Sequence, residues 1–226
     1  MPAVLPQESL ITLADPTSAA AEQFRRLRTN VQFADVDRPL RTLAVVSPQA
    51  GGGKSTIVAN LAVAFAQAGK QVIVVDGDLV NPGQHLIFET ANSAGLVSVL
   101  SGELPADLAL VATPAPGVRL LPAGPPAPNP AQTLNSPRMD GLIAGLLEFA
   151  DLLLFDTPAI ASLADSALFA ARLDGVLLVA DSGQSRRGDL RSAHDLLERV
   201  HAHVLGVALN HGHASRGLLG NLLTPT

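Results

Sequence analysis

A lysine preceded by glycines and followed by two hydroxyl side chains is the clearest sign of chemistry in the sequence. Residues 43–65 read LAVVSPQAGGGKSTIVANLAVAF, which is an apolar run, a glycine cluster and a helical pattern. Glycines let backbone N–H groups approach phosphate oxygens, and the start of the following helix adds positive potential. A lysine charge and a serine hydroxyl at these positions suit the phosphates and Mg²⁺ of a bound nucleotide. The predicted phosphate-binding residues are Gly51, Gly52, Gly53, Lys54, Ser55 and Thr56.

This motif has one irregular position, because Pro48 stands where the pattern G-x-x-x-x-G-K-[ST] begins with glycine. Short glycine motifs also occur in flexible turns, so the sequence context has to decide. Here the glycines stand between a buried-strand pattern and a helical pattern, which is the arrangement that phosphate binding requires. We therefore interpret the segment as a P-loop.

Three aspartates follow strand-like runs. VIVVDGDLVNPGQH places Asp76 and Asp78 after one apolar run, and LLLFDTPA places Asp156 after another. An aspartate in such a place can simply cap a helix. However, ligands of open α/β sheets bind at the carboxyl ends of strands, and three carboxylates would repel a polyphosphate unless Mg²⁺ lay between them. Together with the P-loop, the pattern predicts Ser55, Asp76, Asp78 and Asp156 as metal-binding residues.

Alternating strands and helices are expected to position these residues. Short runs rich in Val, Ile and Leu are typical of strands buried on both faces, and they cover 41–47, 71–76, 118–124, 151–156, 174–181 and 203–210. Helical patterns cover about 17–33, 54–69, 137–149, 160–172 and 186–200. The alternation predicts a single doubly wound α/β domain with a mainly parallel sheet and helices on both faces. The proline-rich segment 104–135 is expected to be a surface excursion near the site rather than a linker.

Composition excludes several classes of protein. The chain has 226 residues, of which 47% are hydrophobic, so it can bury a full core within one domain. The absence of cysteine excludes disulfides and thiolate metal sites. No apolar run is long enough to span a bilayer and no signal peptide is evident, so we expect a cytoplasmic protein. A net charge of −5 argues against nucleic acid as a partner.

Six segments carry a family resemblance: EQFRRLRTNVQFA, VVSPQAGGGKST, VIVVDGDLVNPGQH, GPPAPNPAQTLNSPRM, DLLLFDTPAIASLADSALFAARLDGVLLVADSG and HVLGVALN. Together they resemble the bacterial tyrosine kinases of capsule and exopolysaccharide synthesis, the BY-kinases, which belong to the MinD/ParA-like branch of P-loop ATPases. The similarity runs from about residue 10 to residue 212. It implies an N-terminal extension over 1–15, a P-loop ATPase domain over 16–212 and a C-terminal tail over 213–226.

The resemblance also implies roles for the site residues. Residues 51–56 correspond to the Walker A loop, Asp76 and Asp78 to the second acidic motif, and Asp156 to Walker B. In the family the second acidic motif helps to bind Mg²⁺ and to activate the nucleophile. This implies an ATP/ADP and Mg²⁺ site with Lys54, Asp76 and Asp78 as the catalytic residues.

Two further positions bear on nucleotide binding and dimerisation. Asn210 matches a family position near the adenine base, although asparagine at the end of a strand is equally typical of a turn. Gln49 stands where the partitioning and cell-division ATPases carry a second, signature lysine that reaches across their dimer. We therefore expect the chain not to dimerise in the ParA or MinD manner.

Charged residues near the N-terminus predict self-association. Glu22, Arg25 and Arg28 reproduce the E-x-x-R-x-x-R pattern by which the kinases form rings, and their spacing places them on one helical face. Phe24 and Leu27 would supply the inward face of that helix, although such a charged stripe can also be only solvated. The preceding segment resembles the junction where some relatives fuse to a membrane-spanning chain-length regulator. The resemblance thus implies a homo-oligomer with a separate membrane-anchored partner, which could recruit the protein to the inner face of the membrane.

Two departures from the family pattern affect catalysis. The second acidic motif usually continues D-x-D-x-R, but Val80 stands at the arginine position, so a positive charge near the phosphates is missing and turnover should be slow. The chain also contains no tyrosine, whereas relatives end in a tyrosine cluster. We therefore expect that the chain cannot phosphorylate itself on tyrosine. Transfer to Thr224 or Thr226 of the tail is less plausible, because their side chains are shorter.

Three classes of function stay open at this stage. The first is an enzyme that hydrolyses ATP, which we rank first, or that phosphorylates tyrosine on another protein. The second is a regulatory module whose ATP state controls a membrane partner with little catalysis. The third is a positioning ATPase of the MinD/ParA kind, against which Gln49 weighs.

Two other polar clusters are weaker candidates. The pairs His201/His203 and His211/His213 resemble a metal site, but a straight strand would hold His203 and His211 about 26 Å apart. In addition, no carboxylate or cysteine completes either pair at a usual ligand spacing. Arg186, Arg187 and Arg191 are expected at the exposed start of a helix, where an acidic partner could meet them.

Overall fold

The computed structural model describes residues 10–160 and 164–212. Within them, seven strands form one sheet in the order β3-β4-β2-β5-β1-β6-β7. In chain order the strands are β1 (Thr42–Val46), β2 (Val72–Asp76), β3 (Val111–Ala112), β4 (Val118–Leu121), β5 (Leu152–Asp156), β6 (Gly175–Asp181) and β7 (Val204–Asn210). All neighbours are parallel except the pair of β3 and β4. The predicted mainly parallel sheet is confirmed.

In the described part of the chain, some of the helices around the sheet were expected from the sequence and others were not. Those expected from the sequence are α2 (Ala19–Gln32), α3 (Lys54–Ala66), α8 (Met139–Leu146), α9 (Ala164–Ala170) and α10 (Arg187–Arg199). Short helices that the patterns did not predict are α1 (Ile11–Ala14), α4 (Gln84–Ile87), α5 (Leu96–Ser101), α6 (Ala106–Ala109) and α7 (Pro130–Leu134). No helix within residues 10–160 and 164–212 has both the length and the apolar character that crossing a membrane requires.

Successive side chains of the central strands enter two separate apolar clusters, one on each face of the sheet. In β1, Leu43 and Val45 pack with the residues of α3, whereas Ala44 and Val46 pack with those of α5, α8, α9 and α10. Because both faces of a parallel strand are covered, every residue of β1 is buried. The doubly wound arrangement predicted from the sequence is therefore confirmed.

The segment 104–135 contributes more to the fold than the expected surface excursion. It contains β3 and β4, and β4 pairs in parallel with β2. Leu134 at the end of α7 is fully buried in the cluster that also contains Val46 and Phe155. The many prolines interrupt long helices and strands but leave these short elements intact.

Residues at the start of the described chain pack directly on α3. Leu10 belongs to the apolar cluster on that face, and both the backbone N–H and the hydroxyl of Thr12 donate to Asn60 Oδ1, at 3.0 and 2.8 Å. Ser18 then caps α2 by accepting a hydrogen bond from the N–H of Ala21, which is why this helix begins at residue 19. Leu10, Thr12 and Leu13 therefore pack into the same core as the segment that follows them.

Candidate nucleotide site

The glycine loop between β1 and α3 has the backbone shape that only glycine adopts easily. Gly51 and Gly53 both have φ of +80°, and α3 begins at the next residue, Lys54. A Cβ atom at Gly53 would collide with the side chain of Asn210, whose amide donates to the carbonyl of Gly52 at 3.2 Å. The loop is thus closed on one side by the end of β7.

The base of the loop is fixed to its neighbours. Ser47 Oγ donates to the carbonyl of Gln49 at 2.6 Å, and the N–H of Ile160 donates to the carbonyl of Ser47 at 2.9 Å. The side-chain amide of Gln49 donates to Asp189 Oδ2 at 2.9 Å. Gln49 therefore faces the first turn of α10 in its own chain.

Asp76 and Asp156 lie side by side at the ends of β2 and β5. The two residues are register partners in this parallel pair, and neither is exposed to solvent. Directly after Asp76, the N–H of Gly77 donates to the carbonyl of Asp156 at 2.8 Å. The sheet thus places two carboxylates next to the first turn of α3, as the positions of the aspartates in the sequence predicted.

One residue that the sequence analysis did not single out joins these groups. The backbone N–H groups of Gly83 and Gln84 donate to Asp76 Oδ2, at 3.1 and 3.0 Å. The side-chain amide of Gln84 donates to Asp156 Oδ2 at 2.8 Å and to the carbonyl of Ser55 at 3.0 Å. The Ser55 hydroxyl also hydrogen-bonds Asp156.

Electrostatics makes this pair of carboxylates costly to keep ionised in the protein alone. Burial raises the pKa of Asp76 well above its usual range, and the charge of Asp156 raises it further. Burial also raises the pKa of Asp156, although the Lys54 ammonium and the hydrogen bonds from Ser55 and Gln84 oppose that shift. Like charges in a low-dielectric environment disfavour joint ionisation, and a cation between them removes this cost.

The donor set fits Mg²⁺. Asp76 Oδ1 and Asp156 Oδ1 are buried and make no hydrogen bond to the described residues, so each has an oxygen free for a ligand. Carboxylate and hydroxyl oxygens are the ligands that Mg²⁺ prefers. Asp78 is half-buried nearby, accepts a hydrogen bond from the N–H of Asn81 at 3.0 Å, and its charge contributes to the raised pKa of Asp76. The structure thus groups three of the predicted metal ligands around the loop, with Asp78 beside them.

Two residues of this site lay within quoted motifs but gave no separate signal. Gln84 lies in NPGQH, where a glutamine after a glycine looks like an ordinary turn residue. Gly77 lies between the two aspartates, and a Cβ atom there would come within 2.8 Å of the carbonyl oxygen of Asp156. The contacts of both residues depend on the alignment of β2 with β5, which the sequence does not reveal.

The charged residues of α2 are partly engaged within the chain. Arg25 Nε donates to Glu22 at 2.8 Å, Arg25 Nη1 donates to the carbonyl of Pro16 at 2.7 Å, and Arg28 Nη1 donates to the carbonyl of Ala64 at 3.4 Å. Phe24 and Leu27 pack on the apolar cluster of α3, as expected. The predicted role of this face in self-association stays a prediction.

The histidines bind carboxylates at opposite ends of β7. His203 Nε2 lies 3.4 Å from Asp35 Oδ2, and His211 Nδ1 lies 3.0 Å from Asp181 Oδ2. These carboxylates come from distant segments, so no local sequence pattern links them to the histidines. His213 and the rest of 213–226 lie outside the described residues. Arg186, Arg187 and Arg191 are exposed at the start of α10, as predicted.

A glycine loop between β1 and α3, with aspartates at the ends of two neighbouring strands, defines a P-loop NTPase. The family model described as ParA, NUBPL iron-transfer P-loop NTPase, matches residues 39–216. The tyrosine-protein kinase YwqD of Bacillus subtilis (strain 168) is 37% identical over 204 residues, which are 90% of this chain and 86% of YwqD.

Solved structures give the same assignment. The chimerical protein CapA2B2 has a TM-score of 0.85 and 35% identity, over 89% of both chains. The septum site-determining protein MinD from Pyrococcus horikoshii OT3, complexed with Mg-ADP, has a TM-score of 0.64 and 26% identity over 78% of this chain and 72% of MinD. The chain belongs to the BY-kinase family of ParA-type P-loop NTPases.

Proposed function

We propose that the chain binds ATP with Mg²⁺ at residues 51–56 and hydrolyses it. The observation that carries this proposal is the pair of buried, in-register carboxylates beside the loop, each with one oxygen that makes no hydrogen bond to residues 10–160 and 164–212. The relative MinD, which was solved with Mg-ADP, supports the nucleotide and the metal. We take the P-loop domain as residues 16–212, with an extension over 1–15 that packs against it from Leu10 onward, and a tail over 213–226.

Each group of the site has a separate role in this proposal. The N–H groups of the loop and the Lys54 ammonium bind the phosphates. Ser55, Asp76, Asp78 and Asp156 would hold Mg²⁺, which polarises the phosphate that is transferred. Asp76 and Asp78 also orient the attacking nucleophile, and Asn210 borders the base.

Water is the acceptor that we favour for the phosphoryl group. The 226 residues contain no tyrosine, so tyrosine within this sequence cannot receive it. Transfer needs an acceptor oxygen within about 3–3.5 Å of the phosphorus, and water meets this condition without a partner. The second candidate is a tyrosine on another protein, which the naming of YwqD as a tyrosine-protein kinase favours.

We further propose a cytoplasmic protein that self-associates through the face of Glu22, Arg25 and Arg28. A membrane-anchored regulator of polysaccharide chain length would be its partner and would bring it to the membrane. Membership of the BY-kinase family supports this setting; its relatives YwqD and CapB are named tyrosine-protein kinase and putative tyrosine-protein kinase.

Exchange of the loop lysine tests the nucleotide site. Lys54→Met should lower the affinity for Mg-ADP by at least about 100-fold, because the lysine is a buried point charge at the phosphates. The measurement is isothermal titration calorimetry. Lys70→Met is the matched control, since Lys70 is the other lysine of the chain and is exposed after α3. Equal affinities of Lys54→Met and wild type would refute the site.

A further inference from the structure

Gln84 is a buried polar residue that contacts three parts of the candidate site at once. No part of it is exposed. Its backbone N–H donates to Asp76, and its side-chain amide donates to Asp156 and to the carbonyl of Ser55 in the first turn of α3. It therefore connects β2, β5 and the P-loop helix through hydrogen bonds of 2.8–3.0 Å.

The chemistry of its partners fixes the orientation of the amide. The backbone carbonyl of Ser55 can only accept a hydrogen bond, so Nε2 must face it, and the same nitrogen reaches Asp156 Oδ2. Oε1 consequently points away from them, and it is buried without a hydrogen-bond partner among the described residues. Three buried acceptor oxygens in this region thus have no hydrogen-bond partner in the described part of the chain: Asp76 Oδ1, Gln84 Oε1 and Asp156 Oδ1.

Other side chains of this size cannot replace these contacts. Methionine has a similar shape but no donor, so it would leave Asp156 Oδ2 with fewer hydrogen bonds in a buried position. Glutamate would place another carboxylate against Asp156 and the Ser55 carbonyl, where only acceptors face it. The amide thus fixes how the carboxylate is oriented, which is the role that residues behind metal ligands commonly have.

We propose that Gln84 is a positioning residue that sets the Mg²⁺ dependence of nucleotide binding, by holding Asp156 and Asp76 in the orientation in which their free oxygens meet the metal. This inference rests on the proposed Mg²⁺–nucleotide site. Gln84 acts through the two aspartates and not on the phosphates. Its loss should therefore affect the contribution of Mg²⁺ and leave metal-free binding unchanged.

The test compares ADP affinity in EDTA and at increasing Mg²⁺, by calorimetry on the full chain. In Gln84→Met the gain in affinity that Mg²⁺ provides should fall by about 10-fold to 100-fold, while the affinity in EDTA equals that of wild type. Gln67→Met is the matched control, since the Gln67 amide also donates to a backbone carbonyl, that of Thr12, but away from the site. It should behave as wild type in both conditions.

The results of this comparison distinguish failure of the Gln84 proposal from failure of the nucleotide site itself. If Mg²⁺ raises the ADP affinity of folded Gln84→Met as much as that of wild type, the proposal is overturned. An equal loss of ADP affinity in EDTA and in Mg²⁺ also overturns it, because that result indicates a structural role. If Gln84→Met lacks the wild-type circular dichroism spectrum, Gln84→Glu is judged by the same comparison, and failure of both to fold also overturns the proposal. Failure of wild type to bind ADP at all would instead refute the nucleotide site itself.

Discussion

Two properties of Asp76 and Asp156 make their ionisation unfavourable in the protein alone. Both carboxylates are buried, and they are neighbours in the sheet. A buried charge without a partner is unfavourable, and a second like charge makes it more so. These two carboxylates therefore favour a ligand that carries positive charge. Lys54 supplies part of that charge, and the proposed Mg²⁺ would supply the rest.

Val80 is a single-residue departure from the family pattern, which has arginine at this position of the second acidic motif. Its side chain is 53% exposed, so a longer side chain fits there without repacking the core. Val80→Arg should raise the turnover number for ATP by about one order of magnitude, because a guanidinium near the phosphates stabilises the charge of the transition state. Phosphate release under saturating Mg-ATP measures this.

The control for that substitution is Val80→Gln, which is longer and polar but uncharged. It should leave the turnover number near that of wild type. If the arginine and glutamine variants have the same turnover number, the charge at this position has no catalytic effect.

At the scale of elements, the close contact between the ends of β2 and β5 depends on Gly77. A Cβ atom there would lie 2.8 Å from the carbonyl oxygen of Asp156, which is backbone and cannot rotate away. Gly77→Ala should therefore lower the free energy of unfolding by about 1–3 kcal/mol. Urea denaturation in EDTA measures it without any contribution from ligand.

Gly141 provides the comparison for this effect. It lies within α8, and nothing stands within 4 Å of a Cβ atom built there. Gly141→Ala should stabilise the chain by about 0.5–1 kcal/mol, because alanine favours the helix. Loss of stability in both variants to the same extent would mean that the contact with Asp156 is not the cause.

The longer helices and strands could be predicted from the sequence, but the register between neighbouring strands could not. β1, α3 and α10 have patterns long enough to identify the element, and their observed limits lie within a few residues of those expected. α4 has four residues, too few for a period to show, and it carries Gln84. The partnership of Asp76 with Asp156 is a tertiary property, because no local pattern encodes which residues of two strands lie opposite each other.

At the scale of the whole molecule, the face of α2 is where copies of the chain should meet. Replacing both Arg25 and Arg28 by alanine should shift the protein toward monomer in light scattering, since complementary charges determine the register of such contacts. Arg26→Ala is the control, because Arg26 is 62% exposed, pairs with the same Glu22 and lies outside the three-residue spacing. A wild type that is monomeric at high concentration with nucleotide present would rule out this interface.

The fate of the γ-phosphate is also a property of the whole chain. After incubation with γ-labelled ATP and Mg²⁺, we expect released phosphate and an intact mass without added phosphoryl groups, because no residue of the sequence is tyrosine. Mass spectrometry of the intact protein provides the measurement. Stoichiometric label on Thr224 or Thr226 that disappears in Asp76→Asn would contradict hydrolysis as the main reaction.

The pairing of Asp76 with Asp156 also bears on how the chain finds its correct strand alignment. Apolar clusters cover both faces of β2 and β5, so valine, isoleucine and leucine are accepted on either side and packing alone separates neighbouring alignments weakly. Sliding one strand by a single residue turns each side chain to the opposite face, which would part the carboxylates and break the bonds of Gln84. The proposed nucleotide with its metal would then bind only chains whose strands are correctly aligned. Such a ligand would stabilise the native alignment, and mass action would draw misaligned chains toward it.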